Sequence, residues 1–325
     1  MTLPGPMPAR DPFEAIRSPT EEECSQLLGE DLSTLAAGTA GPLVEIQPLA
    51  TAPRWRPRPG SFRLTFEDRR VLKGIRLPSA KRARHVVHAL KCVQHPSFPE
   101  LVSHAGAAFL QDWIPGRPLS EGPWSAEVVR SCGSLHGHIH AVPVPPDSPF
   151  LGQSGHYEAW SDDIPRNLRI LQERSALGTE ELEAIRELTR RVPDQAHKGF
   201  IHKDLCAENL VLGRNGKMHL VDNESMTVGP YDYDLARTWY RWSMPAERRM
   251  EYLEAYAQHR DPQSFADHFP YWVLVALLKV AVLRIQLDTE GEPRSIRCLR
   301  SCLDTLQEPG SPREIMLQCS LMEKA

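Results

Sequence analysis

The chain has 325 residues, 41% of them hydrophobic and 25% charged, with a formal net charge of −4. That length exceeds the usual single domain and predicts one large domain or two lobes, while the small negative balance gives no support for general nucleic-acid or membrane-surface binding. Seven cysteines, odd in number and without a CxxC pair, suggest neither a disulfide framework nor a zinc site and predict a reducing, cytoplasmic setting.

Residues 1–17 lack a basic start followed by an apolar run and read as a disordered lead. A helix is predicted in SPTEEECSQLLGEDL, with Ser18 as N-cap, Pro19 at the first helical position and Glu21 completing a capping box. PLVEIQPLA (42–50), SFRLTF (61–66) and RRVLKGIRL (69–77) then predict three antiparallel strands between turn signals. In residues 79–94, Val86, Val87, Leu90 and Val93 recur at helical spacing behind Ser79. ELVSHAG and AAFLQDWI (100–114) return to strand character before PGRPL breaks the chain. Beyond that break the one strand signal is LVLGRNGKMHLVDN, a hairpin turned at Asn215-Gly216. Helices are predicted over 125–141, 165–175, 180–192, 231–242, 246–260, 270–287 and 295–306. The apolar run 271–283 is interrupted by Lys279, is too short to span a bilayer, and reads as a buried helix. The expected class is α+β, with a small antiparallel-sheet lobe over 18–114 and a larger, mostly helical lobe over 115–325.

FIHKDLCAENLVL (200–212) sets a polar cluster between apolar flanks that pin it to a core. His202, Asp204, Leu205 and Asn209 fit the H-x-D-L-x-x-x-N pattern of a phosphotransferase catalytic loop, and HLVDNE places Asp222 at the end of an apolar strand. Phosphoryl transfer needs an acceptor for the proton of the incoming hydroxyl, and oxygen ligands for the Mg²⁺ that neutralises the phosphates. Asp204, Asn209 and Asp222 are the right residue types for those roles. Asp204 and Asn209 alone would equally suit a tight loop that satisfies its own backbone donors.

In these motifs the chain resembles the protein-kinase-like superfamily and, within it, the aminoglycoside phosphotransferase-like enzymes. The resemblance implies that Asp204 orients the acceptor hydroxyl, that Asn209 and Asp222 hold Mg²⁺, and that His202 packs structurally. It implies that Lys73 in VLKGI contacts the phosphates of ATP or GTP. In LQDWIPGRPL it implies a hinge, where the Asp112 carbonyl and the Ile114 amide meet the base. LHGHIHAV and YDYDLAR resemble the family's Leu-His helix and Tyr-Asp-Leu-Ala segment, with Asp234 bracing the catalytic loop. Only eleven residues separate Asp222 from Asp234, and no Ala-Pro-Glu segment follows, which favours the small-molecule branch over a regulated protein kinase.

Three departures accompany this likeness. ATAPRWRPRPG (50–60) has one glycine and three prolines where a Gly-rich loop is expected, so Arg54, Arg56 and Arg58 are candidates to clamp phosphate in its place. The helix 79–94 holds no Glu or Asp to pair with Lys73, leaving Glu100 as a substitute. Asn223-Glu224 follows Asp222 where protein kinases have Phe-Gly, and Glu224 is placed to approach a metal or a cation. Cys206 reads as a small buried hydrophobe. Among His136, His138 and His140, only the first and last share a helix face.

The reading is transfer of the γ-phosphate of ATP or GTP to a hydroxyl of a small molecule. Glu158, Asp162 and Asp163 suit a cationic acceptor such as an aminoglycoside or amino alcohol. The alternatives are a protein-directed kinase or nucleotidyltransferase of the same fold, and a non-catalytic binding module.

Overall fold

A computed structural model describes residues 15–39, 41–49, 60–121, 124–150, 159–193, 197–242, 244–286 and 294–319. They group into two compact units, one of residues up to Val87 with Pro99–Pro115, the other of His88–Phe98 with Gly116 onward. The division therefore assigns residues 88–98 to the second unit rather than to the lobe expected over 18–114.

The first unit is built on a six-stranded antiparallel sheet of β1 (Ile16–Arg17), β2 (Leu43–Pro48), β3 (Ser61–Phe66), β4 (Val71–Arg76), β5 (Leu101–Ala105) and β6 (Ala108–Asp112). Its spatial order is β1-β2-β3-β4-β6-β5. Alternation buries Phe62, Leu64 and Phe66 of β3 on one face. Against Phe62, Leu64, Phe66, Ile46, Leu72 and Leu110 pack Leu28 of α1 (Glu21–Leu28) and Leu32 and Ala36 of α2 (Glu30–Thr39).

The helix predicted from Ser18 is corrected in two respects. Its N-cap is Thr20, whose Oγ1 accepts from the Glu23 amide at 3.2 Å while the Glu23 carboxylate accepts from the Thr20 amide at 2.9 Å. The sequence offers two overlapping S/T-x-x-E registers. The later one wins because the Ser18 amide donates to the Val44 carbonyl at 2.8 Å, which keeps Ser18 with the sheet. The segment is also two helices, split at Gly29, whose φ of +77° suits glycine. Next in the chain is α3 (Ala80–Val93), which crosses the division between the units.

In the second unit, β9 (Leu210–Gly213) and β10 (Met218–Leu220) form the predicted hairpin, with β7 (Gly116–Pro118) on its free side. A two-stranded ladder of β8 (Lys198–Ile201) and β11 (Thr227–Pro230) was not expected from the sequence. These three extra strands are too short to alternate, and they carry Gly and Pro, so only their distant partners define them.

The helices are α4 (Ala126–Ala141), α5 (Ala159–Glu173), α6 (Thr179–Thr189), α7 (Tyr231–Arg241), α8 (Ala246–Ala257), α9 (Gln263–Asp267), α10 (Phe269–Gln286), α11 (Arg294–Leu306) and α12 (Pro312–Gln318). Two of them, the short α9 and α12, were not anticipated. Helix α10 is the one described helix long and apolar enough to cross a membrane, but Val273 through Leu278 are all buried within the unit, against α5, α6, α7 and α11. Helices α4 and α8 pack unusually closely: a Cβ at Gly133 would lie 2.1 Å from the Tyr252 carbonyl oxygen, and one at Gly137 2.6 Å from that of Tyr256. Buried Arg249 of α8 donates from Nη1 to the carbonyls of Met316, Leu317 and Cys319 at the end of α12.

Candidate active site

The loop between β8 and β9 carries the motif. Its apolar flanks Phe200, Ile201, Leu205 and Leu210 are buried, so the polar residues between them have no freedom to leave. The turn is forced through a left-handed backbone at Lys203, φ +68°, and the segment after β10 turns the same way at Asp222, φ +59°. Non-glycine residues adopt that conformation at a cost and cluster where surrounding contacts impose it.

Those contacts come from α7. Asp234, fully buried, accepts the His202 amide on Oδ2 and the Lys203 amide on Oδ1, both at 2.7 Å. Its Oδ2 also accepts from Nε2 of His136 at 3.0 Å and of His140 at 3.2 Å, both on α4. Their Nδ1 atoms accept from the hydroxyls of Tyr252 and Tyr256 on α8. The two histidines and two tyrosines are each spaced i, i+4, so one face of α4 meets one face of α8 with every polar group satisfied. His136, His140 and Asp234 lie close enough together to hold a metal ion. Yet one neutral tautomer of each histidine, with Nε2–H toward Asp234, accounts for every contact without one. Burial pushes the Asp234 carboxyl up, but the hydrogen bonds from His136 and His140 outweigh it and hold it well below the usual carboxylate range. Burial and the adjacent His136 push His140 down to about 3. The buried His202 is likewise lowered, by burial. Its Nε2 donates to Asn223 Oδ1 at 3.0 Å, and Asn223 Nδ2 donates to the Leu220 carbonyl at 3.2 Å. The residue after Asp222 therefore ties the two strand ends together.

Asp204 projects from the loop half-exposed. Asn209 Nδ2 donates to its carbonyl at 2.8 Å and to its Oδ2 at 3.1 Å. The Asn209 donors are thus spent on Asp204, which leaves Asn209 Oδ1 as the acceptor for a cation. On the other side Arg237 Nη2 donates to Asp204 Oδ1 at 3.2 Å and Arg241 Nη1 meets the same oxygen at 3.2 Å. Arg237 Nε also donates to the Lys203 carbonyl at 2.9 Å, and Thr238 Oγ1 to that of Leu205 at 2.9 Å. Arg241 Nη2 further reaches Cys206 Sγ at 3.3 Å and Glu208 at 3.7 Å. Burial raises the Cys206 thiol, consistent with the small buried role expected of it.

Asp204, Asn209, His202 and Asp234 thus belong to one cluster in the second unit, and Asp222 stands between Val221, whose amide donates to the Asn209 carbonyl at 2.8 Å, and Asn223 on His202. Sequence reasoning missed Arg237, Thr238 and Arg241. The available signal was their spacing, three, four and seven residues after Asp234, which places all of them on one helix face. In the first unit Lys73 lies at the middle of β4, opposite Arg63 on β3 and Gln111 on β6, and is only 6% exposed, not a solvated strand lysine. Asp112 ends β6, its amide donating to the Glu100 carbonyl at 3.0 Å, and the Trp113 amide donates to Val71 at 3.3 Å to close the sheet. Ile114, half-buried, follows directly. Arg54, Arg56, Arg58 and Glu158, and the side chain of Asp162, lie outside the described residues. Asp163 pairs with Lys279 Nζ at 3.1 Å.

An antiparallel sheet unit followed by a helical unit with this loop defines a protein-kinase-like phosphotransferase fold. Residues 45–268 match the model of the phosphotransferase enzyme family, and the chain belongs to that family, the aminoglycoside phosphotransferase-like branch of the kinase-like superfamily. It is a kinase that transfers phosphate to an alcohol group. Among solved structures, it is similar to a spectinomycin phosphotransferase in complex with ADP and spectinomycin, at 12% identity and a TM-score of 0.59, covering 92% of this chain and 98% of that one. An amicoumacin kinase in complex with AMP-PNP, Ca²⁺ and its antibiotic is similar at 15% identity and a TM-score of 0.56, covering 85% and 89%. A Plasmodium vivax ethanolamine kinase is similar at 10% identity and a TM-score of 0.58, covering 82% of each chain. No curated protein matches the sequence.

Proposed function

We propose that the enzyme moves the γ-phosphate of ATP, or of GTP, to a hydroxyl of a small molecule, with Asp204 receiving the hydroxyl proton. The observation that carries this reading is the Asp204–Asn209 pair: a half-exposed carboxylate oriented by an amide whose remaining oxygen is available to a cation. The eleven residues between Asp222 and Asp234 are consumed by a short turn, β11 and the start of α7, so no activation segment separates them. The similar spectinomycin and amicoumacin enzymes hold ADP and AMP-PNP, which supports a nucleotide donor.

Asn209 and Asp222 are hard oxygen donors and fit a divalent cation such as Mg²⁺, whose contribution when bound is to neutralise charge on the transferring phosphates. Lys73 contacts the nucleotide phosphates, with Arg56 as a second candidate, and the Asp112 carbonyl and Ile114 amide meet the base. His202 and Asp234 support the site through the loop backbone. In the reaction the acceptor hydroxyl donates its proton to Asp204, its oxygen bonds to the γ-phosphorus, and the nucleoside diphosphate leaves. Positioning and fixed charge do most of the work. A cationic acceptor, such as an amino sugar or amino alcohol, has to compete with Lys279 for Asp163.

Asp204→Asn should lower transfer by about 10²–10⁴-fold while nucleotide binding persists. ADP release with panels of cationic, neutral and anionic alcohols tests this, and mass spectrometry of a cell lysate separates a phosphorylated or nucleotidylated protein from a small-molecule product. Turnover by Asp204→Asn at the wild-type rate would overturn the assignment.

A further inference from the structure

We infer that Arg237 and Arg241 are positioning residues for the transfer: together they commit Asp204 Oδ1 and leave Oδ2 to face the acceptor hydroxyl. The inference rests on the assignment of Asp204 as the proton acceptor and extends it to side chains in which the motif has no part.

A carboxylate has about four acceptor sites, two on each oxygen. Arg237 Nη2 donates to Oδ1 at 3.2 Å and Arg241 Nη1 forms an ion pair with the same oxygen at 3.2 Å, so both positive charges gather at Oδ1, while Asn209 Nδ2 takes one site on Oδ2 at 3.1 Å. One site on Oδ2 remains for a hydroxyl. The aim of the carboxylate is thus set by two hydrogen bonds and one ion pair from two elements.

Both guanidiniums are themselves anchored. Arg237 binds the Lys203 carbonyl through Nε at 2.9 Å and the Tyr240 hydroxyl through Nη1 at 3.1 Å, and only 17% of its side chain is exposed. It therefore links the strained Lys203 backbone directly to the Asp204 side chain. Arg241, 30% exposed, holds Cys206 and Glu208 on the next turn of the loop. Arg237 and Arg241 stand on α7 at i and i+4, on the face that carries Asp234. One helix thus sets the loop backbone through Asp234 and the catalytic side chain through the two arginines. A guanidinium suits this role because its planar fork fixes direction as well as charge.

The test uses Mg²⁺·ATP hydrolysis by the full chain, with water as the acceptor hydroxyl, and follows ADP release for kcat and KM. The variants are Arg237→Lys, Arg237→Met and Arg241→Met, with Asp204→Asn as control and thermal shifts with Mg²⁺·ATP to show intact nucleotide binding. Arg237→Met and Arg241→Met should each lower kcat on the order of ten- to a hundredfold with KM for Mg²⁺·ATP unchanged, the size expected when a reacting group is misplaced. Arg237→Lys should restore only part of kcat, since it returns charge without the fork; a loss due to general loosening would raise KM for Mg²⁺·ATP as well. Arg241, being more exposed, supplies the reading if Arg237→Met fails to fold. Wild-type kcat in the arginine variants, beside an inactive Asp204→Asn, would overturn the inference and leave the assignment of Asp204 standing. An active Asp204→Asn would overturn both.

Discussion

Asp234, fully buried, fixes the loop backbone on which Asp204 stands. Four donors converge on Asp234, two backbone amides of the loop and two imidazoles, and each bond is strongest while the carboxyl is ionised. This arrangement sets a pH dependence of stability. His140 and His202 have folded values below their ordinary one, so as pH falls below about 6.5 the unfolded chain takes up protons that the folded chain refuses. Stability therefore declines on acidification, by up to about 1.4 kcal/mol per pH unit for each such group. For His140 the window extends down to about 3. Asp234, with its folded value depressed, contributes fully above about 3.9 and loses its part only as pH falls through that lower folded value. Urea unfolding at pH 7.5 and 5.5 should show the loss, and His140→Gln should reduce it; an equal loss in the variant would refute this origin. The residues of the motif, His202, Asp204, Asn209 and Asp222, stood out in the sequence because their spacing is short and their types are specific. Arg237 and Arg241 did not, since nothing in a helix marks which arginines face a loop until the loop has docked against it.

At the level of elements, α4 and α8 show how a packing distance serves polar bonds. The glycines at 133 and 137 let the helices approach until the histidines of one reach the tyrosine hydroxyls of the other. Gly133→Ala should therefore destabilise by about 1–3 kcal/mol through overpacking, against a helix-propensity gain of up to about 1 kcal/mol. Gly38 in α2 is the opposite case. An added Cβ there meets nothing within 4 Å, so Gly38→Ala should stabilise by up to about 1 kcal/mol. Denaturation midpoints of the two variants should move in opposite directions, and a shared direction would contradict this account. Elements with local signals were legible, among them β3, α3, α4 and the Asn215-Gly216 hairpin. The four-residue strands β8 and β11 were not, because Phe200 opposite Val228 is a pairing that only the folded chain creates. The Thr20 cap was missed for a related reason, two equivalent local registers decided by a distant carbonyl.

For the molecule as a whole, the order of parts along the chain carried the class: strands with a buried lysine, an extended segment after β6, the Leu-His helix, the catalytic loop and its bracing aspartate. The division into units was less legible. Residues 88–98 belong with the larger unit because His138 contacts the Val93 carbonyl at 3.2 Å and the Leu220 amide donates to Ser97 at 2.8 Å. Mg²⁺·ATP at about 100 times its Kd should stabilise the protein by about 2.7 kcal/mol, read as a rise in Tm of a few degrees. Asp222→Ala should remove the Mg²⁺-dependent part of that rise. A rise unchanged by the substitution would take Asp222 out of the metal site.

The anchoring of Arg249 makes the last described helix an obligatory part of the fold. Three carbonyls at the end of α12 receive this one buried guanidinium, the end at which a helix presents its partial negative charge. A nonsense mutation that stopped translation before Met316 would remove three carbonyl acceptors from a buried cation, and with the Met316 carbonyl the acceptor of Trp239 Nε1. Quality control in the cell would then meet a chain whose loop at 202–209 is complete but whose helical unit has lost a buried anchor.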